Sequence, residues 1–223
     1  MTNNAAAAAQ DTAWSRIWTP WDHLVADAVE LTLDPNTAHN QLQISEENRK
    51  ITYVEERQAY PDHPERFERH PQVLCREILT GRCYWEAEWS SWGHIAVSYK
   101  EMARNVVTDC RFGFSDKSWS LFCSANGFTV WHNNVSTSLS TSTPLSNRVG
   151  VYVDVSSGSL SFYSVSDTLT HLHTFNTTFT EDLYAGFRVF DSSLALCQIE
   201  KTAGGDDCDI TNTELHTFVQ SVV

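Results

Sequence analysis

Glycine is scarce in this chain, nine in 223 residues, and the nine are scattered. No glycine-rich phosphate loop is formed by them. The Gly-x-Ser-x-Gly elbow of a hydrolase nucleophile is missing as well. None of the six cysteines belongs to a Cys-x-x-Cys pair, which removes the zinc-finger and thioredoxin-type patterns. Basic residues are few: 15 Lys and Arg stand against 28 Asp and Glu, for a net charge of −13. That balance argues against nucleic-acid phosphates and against an anionic membrane surface as partners. No apolar run approaches the length of a membrane span. The opening MTNNAAAAAQDTAW has an alanine run but neither the basic n-region nor the long apolar h-region of a signal peptide. The expected compartment is therefore cytoplasmic, with Cys75, Cys83, Cys110, Cys123, Cys197 and Cys208 as free thiols.

What is present is a core. Hydrophobic residues make up 41% and aromatic residues 12% of the chain, which fits a globular protein. A chain of this size reads as one domain burying roughly 70% of its extended surface, with no metal or disulfide needed to hold it. The organising stretch is Val73–Trp89. Within it Tyr84, Glu86 and Glu88 point to one side, and Trp85, Ala87 and Trp89 to the other, the period of a half-buried strand. Thr80-Gly81 supplies a turn ahead of it. Short strands are expected at 29–33, 42–45 and 50–54, then at 94–99, 110–115, 119–124, 127–132, 148–155, 159–165, 172–175, 184–190 and 194–199. They arrive about every ten to twelve residues with tight turns between, which means two antiparallel sheets packed face to face. Residues 55–71, charged and proline-punctuated, read as a solvated surface loop. No internal repeat points to a propeller or solenoid.

The ends differ from the middle. In the leader, residues 1–28, Trp14, Trp18 and Trp21 recur at helical spacing, Asp11 is a candidate cap, and Pro20 should limit the helix. Either a short segment docks on the sandwich, or the tryptophans face a neighbouring domain. Residues 201–223 shift to Gly, Asp and Thr and read as a tail.

Candidate chemistry is thin. Glu86 and Glu88 share a strand face at a spacing that suits a carboxylate pair, but no second constellation supports catalysis, and charged residues on a solvent face are ordinary. His171 and His173 share a strand face without an accompanying carboxylate or thiolate at fixed spacing, so they read as surface histidines. No metal, cofactor or catalytic residue is assigned. Asn134-Val135-Ser136 and Asn176-Thr177-Thr178 match the glycosylation sequon and are expected to be unused. A binding surface is the remaining reading. Trp131, followed by His132, Asn133 and Asn134, enters the polar stretch VSTSLSTSTPLSN, a composition common at binding surfaces. The alternative for Trp131 is the core. Phe187 and Phe190 lie in a similar setting beside the turn Asp191-Ser192-Ser193.

The ordered motifs LDPNTA, ENRK, PQVLC, LTGRCYWEAEW, DKSWSLFC, RVGVYVDVSSGSLSFYSV and LYAGF resemble the PRY–SPRY domain. The resemblance covers about residues 29–200, with the PRY part at about 29–78 and the SPRY part at about 79–200. The wording is most similar to the domains of fish NOD-like receptors and tripartite-motif proteins, and similar also to those of stonefish-type toxins. The resemblance implies an all-β fold, a bent two-sheet antiparallel sandwich of concanavalin-like jelly-roll type, without enzymatic activity. It implies a protein ligand held by variable loops, with contacts at positions matching Trp131, Asn133 and Phe190. Asn133 stands where relatives carry an aromatic residue. No RING-type zinc pattern for ubiquitin transfer is present. The implied role is a cytoplasmic recognition module in innate immunity or in substrate selection by a ubiquitin ligase. The alternatives are a toxin-like subunit of a secreted pore-forming protein, or a lectin-like carbohydrate binder.

Overall fold

A computed structural model describes residues 19–101, 110–140 and 146–199. Among these residues the chain forms one short helix, α1 (Pro20–Ala26), and thirteen strands. The strands are β1 (Leu42–Ser45), β2 (Lys50–Tyr53), β3 (Gln72–Leu79), β4 (Arg82–Trp89), β5 (Trp92–Tyr99), β6 (Ser118–Ser124) and β7 (Gly127–His132). They continue with β8 (Val135–Leu139), β9 (Arg148–Asp154), β10 (Ser159–Val165), β11 (Leu169–Asn176), β12 (Leu183–Arg188) and β13 (Ser193–Leu196). One sheet has seven strands in the order β1-β2-β13-β4-β9-β10-β11; the other has six in the order β3-β12-β5-β6-β7-β8. This is the expected two-sheet antiparallel sandwich.

Strand alternation fills the space between the sheets. Trp85, Ala87 and Trp89 of β4 point inward with Val149, Val151 and Val153 of β9 and Phe162 of β10; from the other sheet come Ile95, Val97, Leu121, Phe128 and Phe187, all within one buried cluster. Removing such side chains from water is the main stabilising term of the fold. The turn at Thr80-Gly81 does more than reverse the chain. β3 and β4 lie in different sheets, so the turn is a corner that sets their apolar faces against each other across the core.

Several expectations are corrected. Residues 29–33 form no regular strand: Ala28 bridges Tyr84 in the seven-stranded sheet and Leu33 bridges Cys75 in the six-stranded one. A segment that crosses between sheets gains only isolated bridges from each. Residues 110–115 form a loop, because Gly113 adopts φ +86 and breaks the extended backbone. Conversely, Val135–Leu139, expected as a polar loop, is strand β8. Asn133 and Asn134 have φ of 50° and 60°, the conformation of a two-residue hairpin turn that Asn tolerates. In the loop 55–71, Arg66 and Phe67 are buried. The Arg66 guanidinium donates to the carbonyls of Pro35, Ala38 and Pro61.

Pro20 opens a helix where it was expected to limit one. Its missing N–H costs nothing at the first helical position, and Thr19 and Asp22 form a capping box ahead of it. Trp14 and Trp18 lie outside the described residues, as do Asp11, Cys208 and the tail. Helix α1 and Ile199 cover the outer face of the seven-stranded sheet, where Leu24, Ala28, Tyr84, Tyr152 and Tyr163 cluster. Glu86 lies on the same side of β4 as Tyr84. Expected on a solvent face, it is fully buried, accepting hydrogen bonds from the Tyr84 hydroxyl at 2.7 Å and from Arg148. Burial and the neighbouring carboxylate push the Tyr84 hydroxyl pKa far up, so it remains a donor. Glu88 stays exposed.

His171 and His173 do not share a face. A bulge shifts the β10–β11 register, pairing His173 with inward Phe162 and His171 with outward Tyr163; one extra residue reverses which side a strand presents. Cys75, Cys83, Cys110 and Cys123 are buried free thiols, and Cys197 is half-buried.

Candidate binding face

The outer face of the six-stranded sheet carries two rows of side chains. Cross-strand register aligns Arg188, His94, Phe122, Thr129 and Ser138 in one row, and Gly186, Ala96, Ser120, Trp131 and Ser136 in the next. The small residues of the second row leave a trough. The loop 110–117 folds into it and seats Phe112 over Gly186, where a Cβ would lie 2.6 Å from the phenyl ring. Phe112 closes a small cluster with Phe67, Leu74, Ala96 and Tyr184. Gln72 holds the loop start by donating to the Cys110 carbonyl at 2.6 Å, and the Gly113 N–H donates to Ser118 Oγ at 2.8 Å.

This anchoring sets the position of Trp131. A Cβ on Gly113 would collide with the Trp131 Cβ and lie 2.7 Å from Ser120 Oγ, so only glycine lets the loop pass this close. Phe114 then stacks on the Trp131 indole, with centroids 4.6 Å apart and planes 15° apart. Arg111 lies over the other side of Phe114, 3.6 Å from its centroid, a cation–π arrangement. Trp131 is half-buried, neither a core residue nor a free loop residue. Asn133 is exposed in the turn beside it. The Asn133 N–H donates to the Ser115 carbonyl and the Asn134 N–H to the Gly113 carbonyl, each at 3.1 Å. These bonds tie the β7–β8 turn to the loop carrying Phe114.

Phe190 belongs to a second aromatic group. It is 48% exposed, and its ring lies 4.6 Å from Tyr53 and 6.1 Å from Trp92. Trp92 in turn meets Phe122 at 6.0 Å, and Phe122 meets His94 at 5.0 Å. The turn after Phe190 is pinned because Ser192 Oγ accepts from the N–H groups of Ser91 and Trp92 at 3.3 Å. Phe122 and Trp131 are diagonal neighbours across β6 and β7, a spacing large rings can span. The two aromatic groups therefore stand side by side on the outer face of the sheet. Phe187, by contrast, is wholly in the core.

His94 sits at the junction, 5% exposed. Burial, reinforced by the Arg188 and Arg111 cations, lowers its pKa to about 3, so the imidazole is neutral. Nε2 faces Arg188 Nη1 at 3.4 Å, and Nδ1 faces Ser120 Oγ at 3.3 Å. A neutral ring accepting from Arg188 and donating to Ser120 satisfies both contacts; Ser120 passes its own hydrogen to the Phe112 carbonyl at 3.3 Å.

Tyr53, Trp92, Arg111, Phe114 and Phe122 were not singled out from the sequence. Phe122 was legible: in SWSLFCS the inward positions are Trp119, Leu121 and Cys123, leaving a large ring outward between serines. A depression of ≈ 580 Å³ lined by Glu65, Lys100, Glu101, Glu181, Asp182 and Tyr184 lies apart from the aromatic surface. Glu65 is paired with Lys100 and Glu181 with Lys117. Among the described residues no group of three or more His, Cys, Asp or Glu is placed to hold a metal ion. Nor is any helix there long and apolar enough to cross a membrane.

Comparison with known proteins places this architecture. The SPRY-associated domain model matches residues 31–79 and the SPRY domain model residues 82–198. The beta subunit of stonustoxin from Synanceia horrida is 40% identical over 166 residues, covering 73% of this chain and 24% of that protein. Tripartite motif-containing protein 16 from Mus musculus is 38% identical over 172 residues, covering 74% of this chain and 30% of that protein. The chain thus spans about a quarter of the length of the curated relatives it matches. Among solved structures, stonustoxin aligns with a TM-score of 0.74 at 35% identity, over 78% of this chain and 29% of that one. The TRIM65 PSpry domain aligns with a TM-score of 0.74 at 26% identity, over 83% of this chain and 98% of that one. By fold and by these matches, the chain belongs to the PRY–SPRY family.

Proposed function

We propose that this chain is a non-catalytic protein-recognition module that binds a protein partner through the outer face of its six-stranded sheet. One observation carries the reading: half-exposed rings of Trp92, Phe122, Trp131 and Phe114 gather on this face, with Phe190 and Tyr53 beside Trp92 at its margin, among small residues such as Ala96, Ser120, Thr129, Ser136 and Ser138. Rigid aromatic anchors inside a small polar surround are the residues that carry binding energy at protein interfaces. Trp131 and Phe190 are the principal anchors, and Asn133 shapes the rim. The setting we assign is cytoplasmic, in innate-immune recognition or in substrate selection for a ubiquitin ligase. Likeness to a tripartite motif-containing protein supports that setting.

Likeness to toxin subunits supports a second setting, in which the same face docks within a pore-forming assembly. Sequencing the full-length transcript separates the two: an in-frame RING or nucleotide-binding domain favours the first, a pore-forming region the second.

The face itself is tested with Trp131→Ala and Phe190→Ser. Partners captured by the wild-type chain are purified and titrated against both variants. Each substitution is expected to cost about 2 kcal/mol or more of binding. Stability should fall by only about 1–2 kcal/mol for Trp131→Ala, below the roughly 3–5 kcal/mol of a core tryptophan such as Trp85. Unchanged affinity for both variants would remove the face from the site.

A further inference from the structure

Strand β8 ends the six-stranded sheet. The two-residue turn makes His132 and Val135 the hydrogen-bonded pair next to it, and alternation makes Val130–Thr137 and Phe128–Leu139 the following ones. Val135, Thr137 and Leu139 therefore direct their backbone groups to β7. Ser136 and Ser138 direct theirs outward, where they meet no hydrogen-bond partner among the described residues.

The other sheet edges are covered or bent. The edge of β3 is met by residues 32–34, with the Arg76 N–H donating to the Thr32 carbonyl and the Asp34 N–H to the Leu74 carbonyl, each at 2.9 Å. The edge of β1 is met by the Tyr60 hydroxyl, which accepts from Ile44 and donates to Leu42. The β11 edge carries the bulge at the Phe162–Tyr163 step, a device that spoils edge pairing. Among the described residues β8 has no such protection. Its residues, VSTSL, include no Lys, no Pro and no bulge. In a chain of net charge −13, no Asp, Glu, Lys or Arg occurs between Lys117 and Arg148.

We propose that the β8 edge receives an extended segment of a protein partner as an additional strand of the six-stranded sheet. Outward N–H and C=O groups at strand spacing are matched by another strand's backbone and by little else. The absence of charge favours an uncharged segment rich in β-branched or aromatic residues. Alternate side chains of that segment lie beside Ser136 and Ser138. Those serines are small enough for a large apolar residue to reach across them to Trp131, about 10 Å away on the next strand. The opposite side chains lie beside Val135, which is 67% exposed. The inference goes beyond the aromatic face, since the edge accepts a strand whether or not Trp131 takes part.

The test uses phage-displayed random peptides of about a dozen residues, long enough to span β8. They are selected on the folded chain, and the recovered peptides are synthesised and titrated. Ser138→Pro removes an outward N–H that the β7–β8 ladder does not use, so the fold should survive it. Ser138→Lys repeats the test through an edge charge if the proline variant fails to fold. Both should weaken peptide binding at least about tenfold, and bound peptide should slow amide exchange at Ser136 and Ser138. Binding lost on Trp131→Ala but kept by both edge variants would overturn strand addition while leaving the face reading intact. Recovery of no peptide above background would overturn it too. So would a wild-type dimer that Ser138→Lys disperses, because the edge would then serve a second copy.

Discussion

Neutral His94 at the centre of the aromatic face makes the fold acid-sensitive in a way that can be measured. Its pKa falls from 6.5 to about 3, chiefly through burial and then through Arg188 and Arg111. Because folding lowers this pKa, the unfolded chain binds more protons below pH 6.5. The stabilisation is whole above about pH 6.5 and is lost as the pH falls, until near pH 3 both states are protonated. At pH 5 the unfolded imidazole is about 1.5 units below its pKa while the folded one is still neutral. That difference is about 2 kcal/mol.

The assay is urea denaturation at pH 7 and pH 5 of the wild type and of His94→Gln. Glutamine does not titrate, yet its amide can still accept from Arg188 and donate to Ser120. Wild type should lose about 2 kcal/mol more than the variant between the two pH values. Burial also lowers the pKa of His39, His171 and His173, so all three act in the same direction, but they are common to both chains and cancel in the comparison. Equal losses in wild type and variant would show that His94 is protonated in the fold at pH 5, and the hydrogen-bond assignment would fall with it.

Two further outcomes are expected. Arg148→Met strands the fully buried Glu86 carboxylate with Tyr84 as its donor, and should cost about 3 kcal/mol in chemical denaturation; Arg148 is 33% exposed, which keeps the figure at the lower end. The double variant Glu86→Gln/Arg148→Met should recover most of that loss, and a failure to recover would locate the effect elsewhere. Gly113→Ala places a side chain at φ +86 against Trp131, costing at least about 1–2 kcal/mol for the backbone alone and unstacking Phe114. Near-ultraviolet circular dichroism should report the lost stacking, and an unchanged spectrum would contradict the close approach.

The sandwich was legible wherever one face of a strand is apolar and the other is not, as in Trp85, Ala87 and Trp89. Where a segment breaks that rule, the reading failed for identifiable reasons. CRFGFS alternates like a strand, yet the left-handed Gly113 turns it into the loop that carries Phe112 and Phe114. In VSTSL only Val135 and Leu139 are apolar, with Thr137 between them on their face, so the alternation is weak and the Asn-Asn turn is the clearer sign of a hairpin. The inserted residue in β11 cancels the alternation from which His171 and His173 were placed on one face. Glu86 is buried against Arg148, a residue far away in the chain, and no local pattern encodes that pairing. The sequence points to Trp131 and Phe190; the structure adds the rings between them, Trp92 and Phe122, on strands whose inward faces carry the clearer pattern.

How those rings are held bears on recognition. Trp92, Phe122 and Trp131 stand on paired strands, so in the proposed role little conformational freedom would be lost on covering them. The loops contribute differently. Residues 110–117 bring Phe114 to the Trp131 ring, with Arg111 over Phe114, through the one glycine that permits the approach, and the Ser192 hydroxyl fastens the turn beside Phe190. Substitutions at positions 111, 114 and 190 would change what the face presents while leaving strand pairing and the core untouched. Arg111 lies over Phe114 and Phe190 beside Trp92, on separate loops, so each can be exchanged independently. In the recognition role proposed above, a surface organised this way would be retuned to a new partner one loop at a time, the strand-borne rings anchoring and the loops selecting.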